Sequence, residues 1–179
     1  VTAPIVVVAD FPWQFGDKLP GKTRGAARQY ATMPVEAMGP FLAGYCEGMG
    51  NVALFLWRVS SMQEEALRVA REAGFAVKSE LVWEKLTKSG KPHFGMGRYM
   101  RASHETCLIA VRGRAFPEVR NVRSRFAAPV REHSRKPEKF YAIVERLYPS
   151  SEKHELFART VRAGWRQHGL ELGKLGAAE

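Results

Sequence analysis

The feature that most constrains this chain is the apolar run Ile5-Val6-Val7-Val8-Ala9, which stops abruptly at Asp10-Phe11-Pro12-Trp13. A run this short, with three Val, fits a strand buried on both faces, and such a strand demands cover above and below. In open α/β sheets ligands bind beyond the carboxyl ends of the strands, so the change to a carboxylate, a Pro and an indole marks a candidate site. A carboxylate and free backbone carbonyls accept hydrogen bonds from an exocyclic amino group, and an indole stacks on a flat heterocycle. The same residues also fit a structural role, with Asp10 capping a turn and Trp13 filling a corner of the core.

At 179 residues and 45% hydrophobic content the chain suits one domain, expected over 1–172 with a frayed Gly/Ala tail at 173–179. Cys46 and Cys107 lie far apart and outside any CxxC, and the five His have no metal-ligand spacing. That predicts a metal-free chain without disulfides, in a cytoplasmic setting. Residues 1–9 are too short for a secretory core and lack a basic leader, and no stretch approaches a membrane span.

The net charge of +10 is concentrated rather than spread. Residues 17–28 carry four Lys/Arg against one acid, 85–101 carry five against none, and 112–139 carry nine against three. Three Gly- or Pro-containing basic segments predict a shared positive face for phosphates, so nucleic acid is the expected partner, although charge runs also serve simply as solvated surface. Lys18, Lys22 and Arg24 in the first segment, Lys88, Lys91, Arg98 and Arg101 in the second, and Arg123 and Arg125 in the third are the candidate contacts. Residues 14–30, following directly from Trp13, read as a mobile basic lid or as a long surface linker.

Further along, Val35, Met38, Leu42 and Tyr45 keep helical spacing, but Gly39-Pro40 should break or restart it, so one helix or two short ones fit. Residues 52–57 read as a second buried strand. Ser61 and Glu64 form a capping-box pattern for a helix that stops at Gly74. Residues 75–83 then give a strand-helix-strand unit of a parallel sheet, hence an α/β fold class. After the irregular stretch 84–103, a strand over 106–111 follows His104-Glu105, and 112–135 is expected to be irregular. Lys136-Pro137 opens a helix with Phe140, Tyr141, Ile143, Val144 and Leu147, ended by Pro149; residues 154–159 and 165–171 are expected as short strands.

Seven segments in this order resemble the MT-A70-like family of S-adenosylmethionine-dependent adenine N6-methyltransferases, in the small form of phages and bacteria. They are Asp10-Phe11-Pro12-Trp13 for the family's Asp-Pro-Pro-Trp, Tyr30-Ala31-Thr32-Met33, Leu54-Phe55-Leu56-Trp57, Leu81-Val82-Trp83-Glu84-Lys85, His104-Glu105, Lys136-Pro137-Glu138 and Glu155-Leu156-Phe157-Ala158-Arg159. The resemblance implies a Rossmann-like methyltransferase sheet, mostly parallel with helices on both faces, in permuted motif order. It implies S-adenosyl-L-methionine as cofactor and no metal.

By the same resemblance, Asp10 and Pro12 hold the adenine amino group, Trp13 and Phe11 line the base pocket, and Tyr30 meets the base from the lid. Asp10, Lys136, Arg159 and Glu171 contact the cofactor. Read as residues alone, Lys136 and Arg159 fit surface charges, and Trp57 and Trp83 fit core aromatics. Phe11 stands where the family has a Pro that would fix φ, which predicts a looser pocket backbone, and Leu170 stands where the family commonly has Asn. The implied activity is methyl transfer to adenine N6 in DNA with little sequence specificity, by a monomer or homodimer in a bacterial or phage-infected cell. RNA as substrate, a non-catalytic nucleic-acid-binding relative and a cytosine N4 enzyme are the alternatives.

Overall fold

Alternate residues of the opening strand face opposite ways, and that alternation sorts the whole molecule. In a computed structural model, which describes residues 2–14, 32–97, 99–132 and 135–169, β1 (Ile5–Ala9) lies inside a seven-stranded sheet. The other strands are β2 (Val52–Arg58), β3 (Ala76–Leu86), β4 (His104–Arg112), β5 (Arg125–Pro129), β6 (Lys153–Leu156) and β7 (Trp165–His168), in the order β5-β3-β4-β2-β1-β6-β7. Val7, Ala9, Leu54 and Leu56 pack on one face against helices α1 (Val35–Tyr45) and α2 (Gln63–Glu72). Val6, Val8, Ala53, Phe55 and Trp57 pack on the other against helix α3 (Glu138–Leu147). Both faces are covered, which is why β1 and β2 read as unbroken apolar runs. This is the expected Rossmann-like arrangement.

The sheet is less uniform than the strand-helix-strand reading implied. Neighbouring pairs β1·β2, β1·β6, β6·β7 and β3·β5 are parallel, but β4 runs antiparallel to both β2 and β3. β2 and β3 therefore point the same way without being neighbours; β4 is inserted between them. Periodicity reports burial and not strand direction, so the insertion left no local mark in the sequence. The stretch 112–135, expected to be irregular, contains β5. Its Arg125 and Pro129 obscure the pattern, yet an edge strand tolerates a terminal Pro, and Phe126 and Ala128 are the residues it buries.

Two helix details also differ. The Ser61/Glu64 capping box does not form: Met62 is the N-cap of α2 and no side chain caps it. Residues 35–45 form one helix, with Pro40 inside it. A Pro within a helix costs ~3 kcal/mol, whereas burying Met38 and Leu42, both fully buried, contributes about 1.5–3 kcal/mol each. Packing outweighs the lost hydrogen bond, so the helix runs on. The strand expected over 154–159 ends at Leu156, because Phe157 takes a left-handed backbone (φ 61°).

Gly39 is what lets α1 approach α2. A Cβ at that position would meet Glu72 Oε2 at 2.6 Å and Glu72 Cβ at 2.8 Å. Gly39→Ala ordinarily stabilises a helix by ~0.5–1 kcal/mol, but here the two helices must separate, an overpacking cost of about 1–3 kcal/mol. We expect Gly39→Ala to lower Tm by roughly 2–8 °C in a thermal melt. An unchanged or raised Tm would show that the α1–α2 contact is not tight.

Candidate active site at the end of the first strand

The chain leaves β1 through α1 on one face to reach its neighbour β2, and reaches its other neighbour β6 through α3 on the opposite face. The carboxyl end of β1 is thus a point where the crossovers diverge, and a crevice opens there. It is a cavity of about 260 Å³ whose lining includes Asp10, Pro12, Trp13, Glu105, Lys136 and Arg159.

An ionic chain organises it. Lys136 Nζ donates to Asp10 Oδ2 at 2.7 Å and lies 3.2 Å from Glu105 Oε2, and Lys85 Nζ lies 2.6 Å from Glu105 Oε1. Lys136 also sits 5.0 Å from the centre of the Trp57 ring, and Lys85 5.2 Å from that of Trp83. Burial works against the Lys136 ammonium, but Asp10 and then Glu105 outweigh it and hold its pKa above the ordinary lysine value. Burial likewise pushes Glu105 up, yet Lys136 and Lys85 prevail and keep it below the ordinary carboxylate range. Asp10 remains one-third exposed while Lys136 is only 8% exposed. The pair therefore has a buried cation and an acceptor that still faces the cavity.

The segment after Asp10 is held on every side. Trp13 N–H donates to the Phe11 carbonyl (2.9 Å), Met33 N–H to the Pro12 carbonyl (2.9 Å), and Trp13 Nε1–H to the Trp57 carbonyl (3.0 Å). Phe11 is buried against Trp13, Phe41 and Phe157, its ring centre 5.0 Å from that of Phe157. Where a looser backbone was expected at Phe11, aromatic packing supplies the restraint that a Pro ring would have given. The left-handed Phe157 is what turns the end of β6 toward that cluster. Behind it, Glu155 is buried and accepts from Tyr141 Oη–H (2.6 Å) and Gln167 Nε2–H (3.0 Å); burial is the largest influence on it and raises its pKa.

Of the residues singled out from sequence, Asp10, Phe11, Pro12, Trp13, Lys136 and Arg159 all line this one cavity. Lys136 is buried, which removes the surface-charge reading for it, and Trp57 and Trp83 are core residues at 1% and 2% exposure. Lys88, Lys91 and Arg101 are exposed on the β3–β4 connection, at the same end of the sheet as Asp10. Arg125 opens β5 opposite Val82, in the row of Thr106 and Arg58 and so two positions beyond the row of Leu56 and Ala9, which places it toward the same end of the sheet but with β3, β4 and β2 between it and β1. Lys18, Lys22, Arg24, Tyr30, Arg98, Leu170 and Glu171, and the 173–179 tail, lie outside the described residues. Sequence reasoning missed Glu105 as a partner of Lys136, and Lys85 as the second cation on Glu105. The available signal was a carboxylate at the mouth of a buried strand, which needs a cation. Among the described residues no group of His, Cys, Asp or Glu is arranged to hold a metal, and no helix is long and apolar enough to cross a membrane.

Comparison with known proteins agrees with this geometry. The MT-A70 family model matches residues 5–171. The chain is 30% identical over 177 residues to a putative N(6)-adenosine-methyltransferase MT-A70-like protein of Medicago truncatula, covering 93% of this chain and 26% of that one. It is 28% identical over 177 residues to the human N(6)-adenosine-methyltransferase catalytic subunit METTL3, covering 93% and 28%. It is 26% identical over 189 residues to the type II methyltransferase M.MunI of a Mycoplasma species, covering 93% and 77%. The chain thus spans about a quarter of the length of the N(6)-adenosine-methyltransferases it matches. Members of the MT-A70 family use S-adenosylmethionine as methyl donor, and the cleft fits a molecule bearing both an ammonium and a carboxylate, since it presents the Asp10 carboxylate beside Lys136 and Arg159. By fold, by site and by the match over residues 5–171, the chain belongs to the MT-A70 family.

Proposed function

We propose that the chain transfers a methyl group to the N6 amino group of adenine in DNA, reading few bases around the target. The observation that carries this is Asp10: a carboxylate fixed by Lys136 at Oδ2, still one-third exposed, with Pro12 and Trp13 beside it in the cleft. The adenine N6 lone pair is delocalised into the ring, so the amine is a weak nucleophile until acceptors draw its protons out of plane. Asp10 Oδ1 is the oxygen left for one of them, and the second lone pair of the Phe11 or Pro12 carbonyl serves the other. Because Lys136 holds the carboxylate in place, no reorganisation is needed as charge develops. Once the amine is methylated it must lose a proton, and Asp10 is the acceptor within reach.

S-adenosylmethionine, when bound, supplies an electrophilic methyl on a sulfonium. Asp10, Lys136, Arg159 and Glu171 are the residues proposed to hold it, Trp13 and Phe11 to wall the base pocket, and Tyr30 to cover the base. Lys88, Lys91 and Arg101, with Arg98, Lys18, Lys22 and Arg24, are proposed to meet phosphates near the site. DNA is favoured because the chain covers 77% of the type II methyltransferase M.MunI. RNA is the second reading, favoured by the N(6)-adenosine-methyltransferase relatives.

Transfer of labelled methyl from S-adenosylmethionine to single-adenine DNA and RNA oligonucleotides tests both. Adenine-dependent labelling of DNA is expected, with Asp10→Ala lowering transfer by at least ~100-fold while oligonucleotide binding holds within about threefold, since phosphate contacts carry affinity. Labelling of RNA alone would replace DNA by the second reading. Binding without transfer to either would make the chain a non-catalytic relative.

The ionic chain also has a pH signature. The Glu105 carboxyl titrates lower in the folded chain than unfolded, so its contribution is present above the unfolded pKa and is lost as pH falls through the folded one. In urea unfolding, Glu105→Gln should be destabilised by about 1–3 kcal/mol at pH 7, with the gap to wild type closing as pH falls below the ordinary carboxylate range. A gap independent of pH would mean that Glu105 is not an ionised partner of Lys136.

A further inference from the structure

The cleft at Asp10 adjoins a second, larger cavity of about 1050 Å³, and Val59, Ser60 and Ala102 line both. At the junction stands Arg58, the last residue of β2, which lines the inner cavity. Its Nε is buried and without a hydrogen-bond partner among the described residues. The two carboxylates that line the same cavity pair elsewhere, Asp10 through Oδ2 with Lys136 and Glu105 with Lys136 and Lys85. A guanidinium is permanently charged, and a buried donor left unmet is costly, so this one is placed for an acceptor that comes from outside.

The outer cavity has walls of different character. One is the β3–β4 connection, where Met96, Tyr99 and Met100 are 83–98% exposed. Four large apolar side chains, these three and Phe94, are interleaved there with Lys88, Lys91 and Arg101, and residues 85–101 hold no acid. Exposed rings among cations are the composition of a surface on which bases stack while phosphates are neutralised. The opposite wall carries Glu65 and, paired with each other at 3.4 Å, Glu36 and Arg68. With Arg68 neutralised by Glu36, the carboxylates on that side accept from the N–H groups of a base edge, so a base suits it better than a phosphate.

We propose that Arg58 binds the phosphate next to the target nucleotide and that the outer cavity takes the adjoining unpaired base, with Tyr99 as its stacking face. This deepens the nucleic-acid reading above and rests on it. The substrate class is a single strand, or a strand locally opened by two nucleotides, because within a duplex that neighbouring base stays paired and stacked.

The test uses oligothymidylate carrying one adenine, with a neutral methylphosphonate placed at each linkage in turn, and reads affinity by fluorescence anisotropy. Wild type is expected to lose about tenfold in Kd at one linkage beside the adenine. Arg58→Gln should lose as much with the normal strand and nothing more with that neutral linkage, while Arg58→Lys recovers part of the loss. Tyr99→Ala should abolish the penalty for an abasic site at the neighbouring position, and the matching duplex should bind more weakly than the single strand. Melting curves check that the variants fold. Wild-type affinity in Arg58→Gln, or losses that multiply with the neutral linkage at every position, would overturn the assignment. Anisotropy needs no turnover, so absence of methyl transfer with this pattern intact would overturn only the enzymatic reading. Normal transfer without the pattern would overturn only this one.

Discussion

The Lys136 ammonium, 8% exposed, is the interaction on which the rest depends. Burying a lone ammonium costs several kcal/mol. Lys136 therefore needs carboxylates, and it draws them from two strands: Asp10 after β1 and Glu105 at the start of β4. Those strands flank β2, which supplies the Trp57 ring beneath the cation. The requirement explains the inserted antiparallel strand in functional terms. Only because β4 runs against β2 do its first residues, and not its last, reach the end of the sheet where Asp10 lies.

From that constraint the chemistry follows in order. A carboxylate pinned by one oxygen is an oriented acceptor, and an oriented acceptor at a switch point between crossovers is suited to an exocyclic amino group. The aromatic packing of Phe11 against Phe41 and Phe157 keeps the following turn in register, and the Trp13–Trp57 hydrogen bond ties that turn to the neighbouring strand. Family membership supplies the donor of the methyl group; the local geometry leaves an oriented carboxylate at this position, the acceptor that the proposed reaction needs.

Much of this was legible because burial and chain breaks write themselves locally. Val6 to Ala9 announced β1, Gly74 with its positive φ ended α2 as expected, and Lys136-Pro137 opened α3. Asp10 stood out because a carboxylate placed directly after a buried strand has to meet a cation or a ligand. What could not be read was set by partners distant in sequence. Lys136 meets Asp10 across 126 positions, and nothing near Glu105 says which cation it faces. Strand direction is likewise non-local, so the strand expected over 106–111 was legible but not its antiparallel course, β5 was hidden by its Arg and Pro, and the one local signal that misled, Ser61 with Glu64, lost to the packing that placed Met62 at the helix start. Basic residues were recognised by charge but not by position: nothing in the sequence says that Arg125 lies across β3, β4 and β2 from β1.

The most direct measurement is the single-turnover rate of methyl transfer to adenine by Asp10→Asn, Lys136→Met and the double variant, with S-adenosylmethionine and oligonucleotide saturating. If Lys136 acts by holding Asp10, each single change lowers the rate by at least ~100-fold and the double change lowers it little further, as expected of groups acting as a unit. A Lys136→Met enzyme that turns over near the wild-type rate, or single effects that multiply in the double variant, would contradict the account.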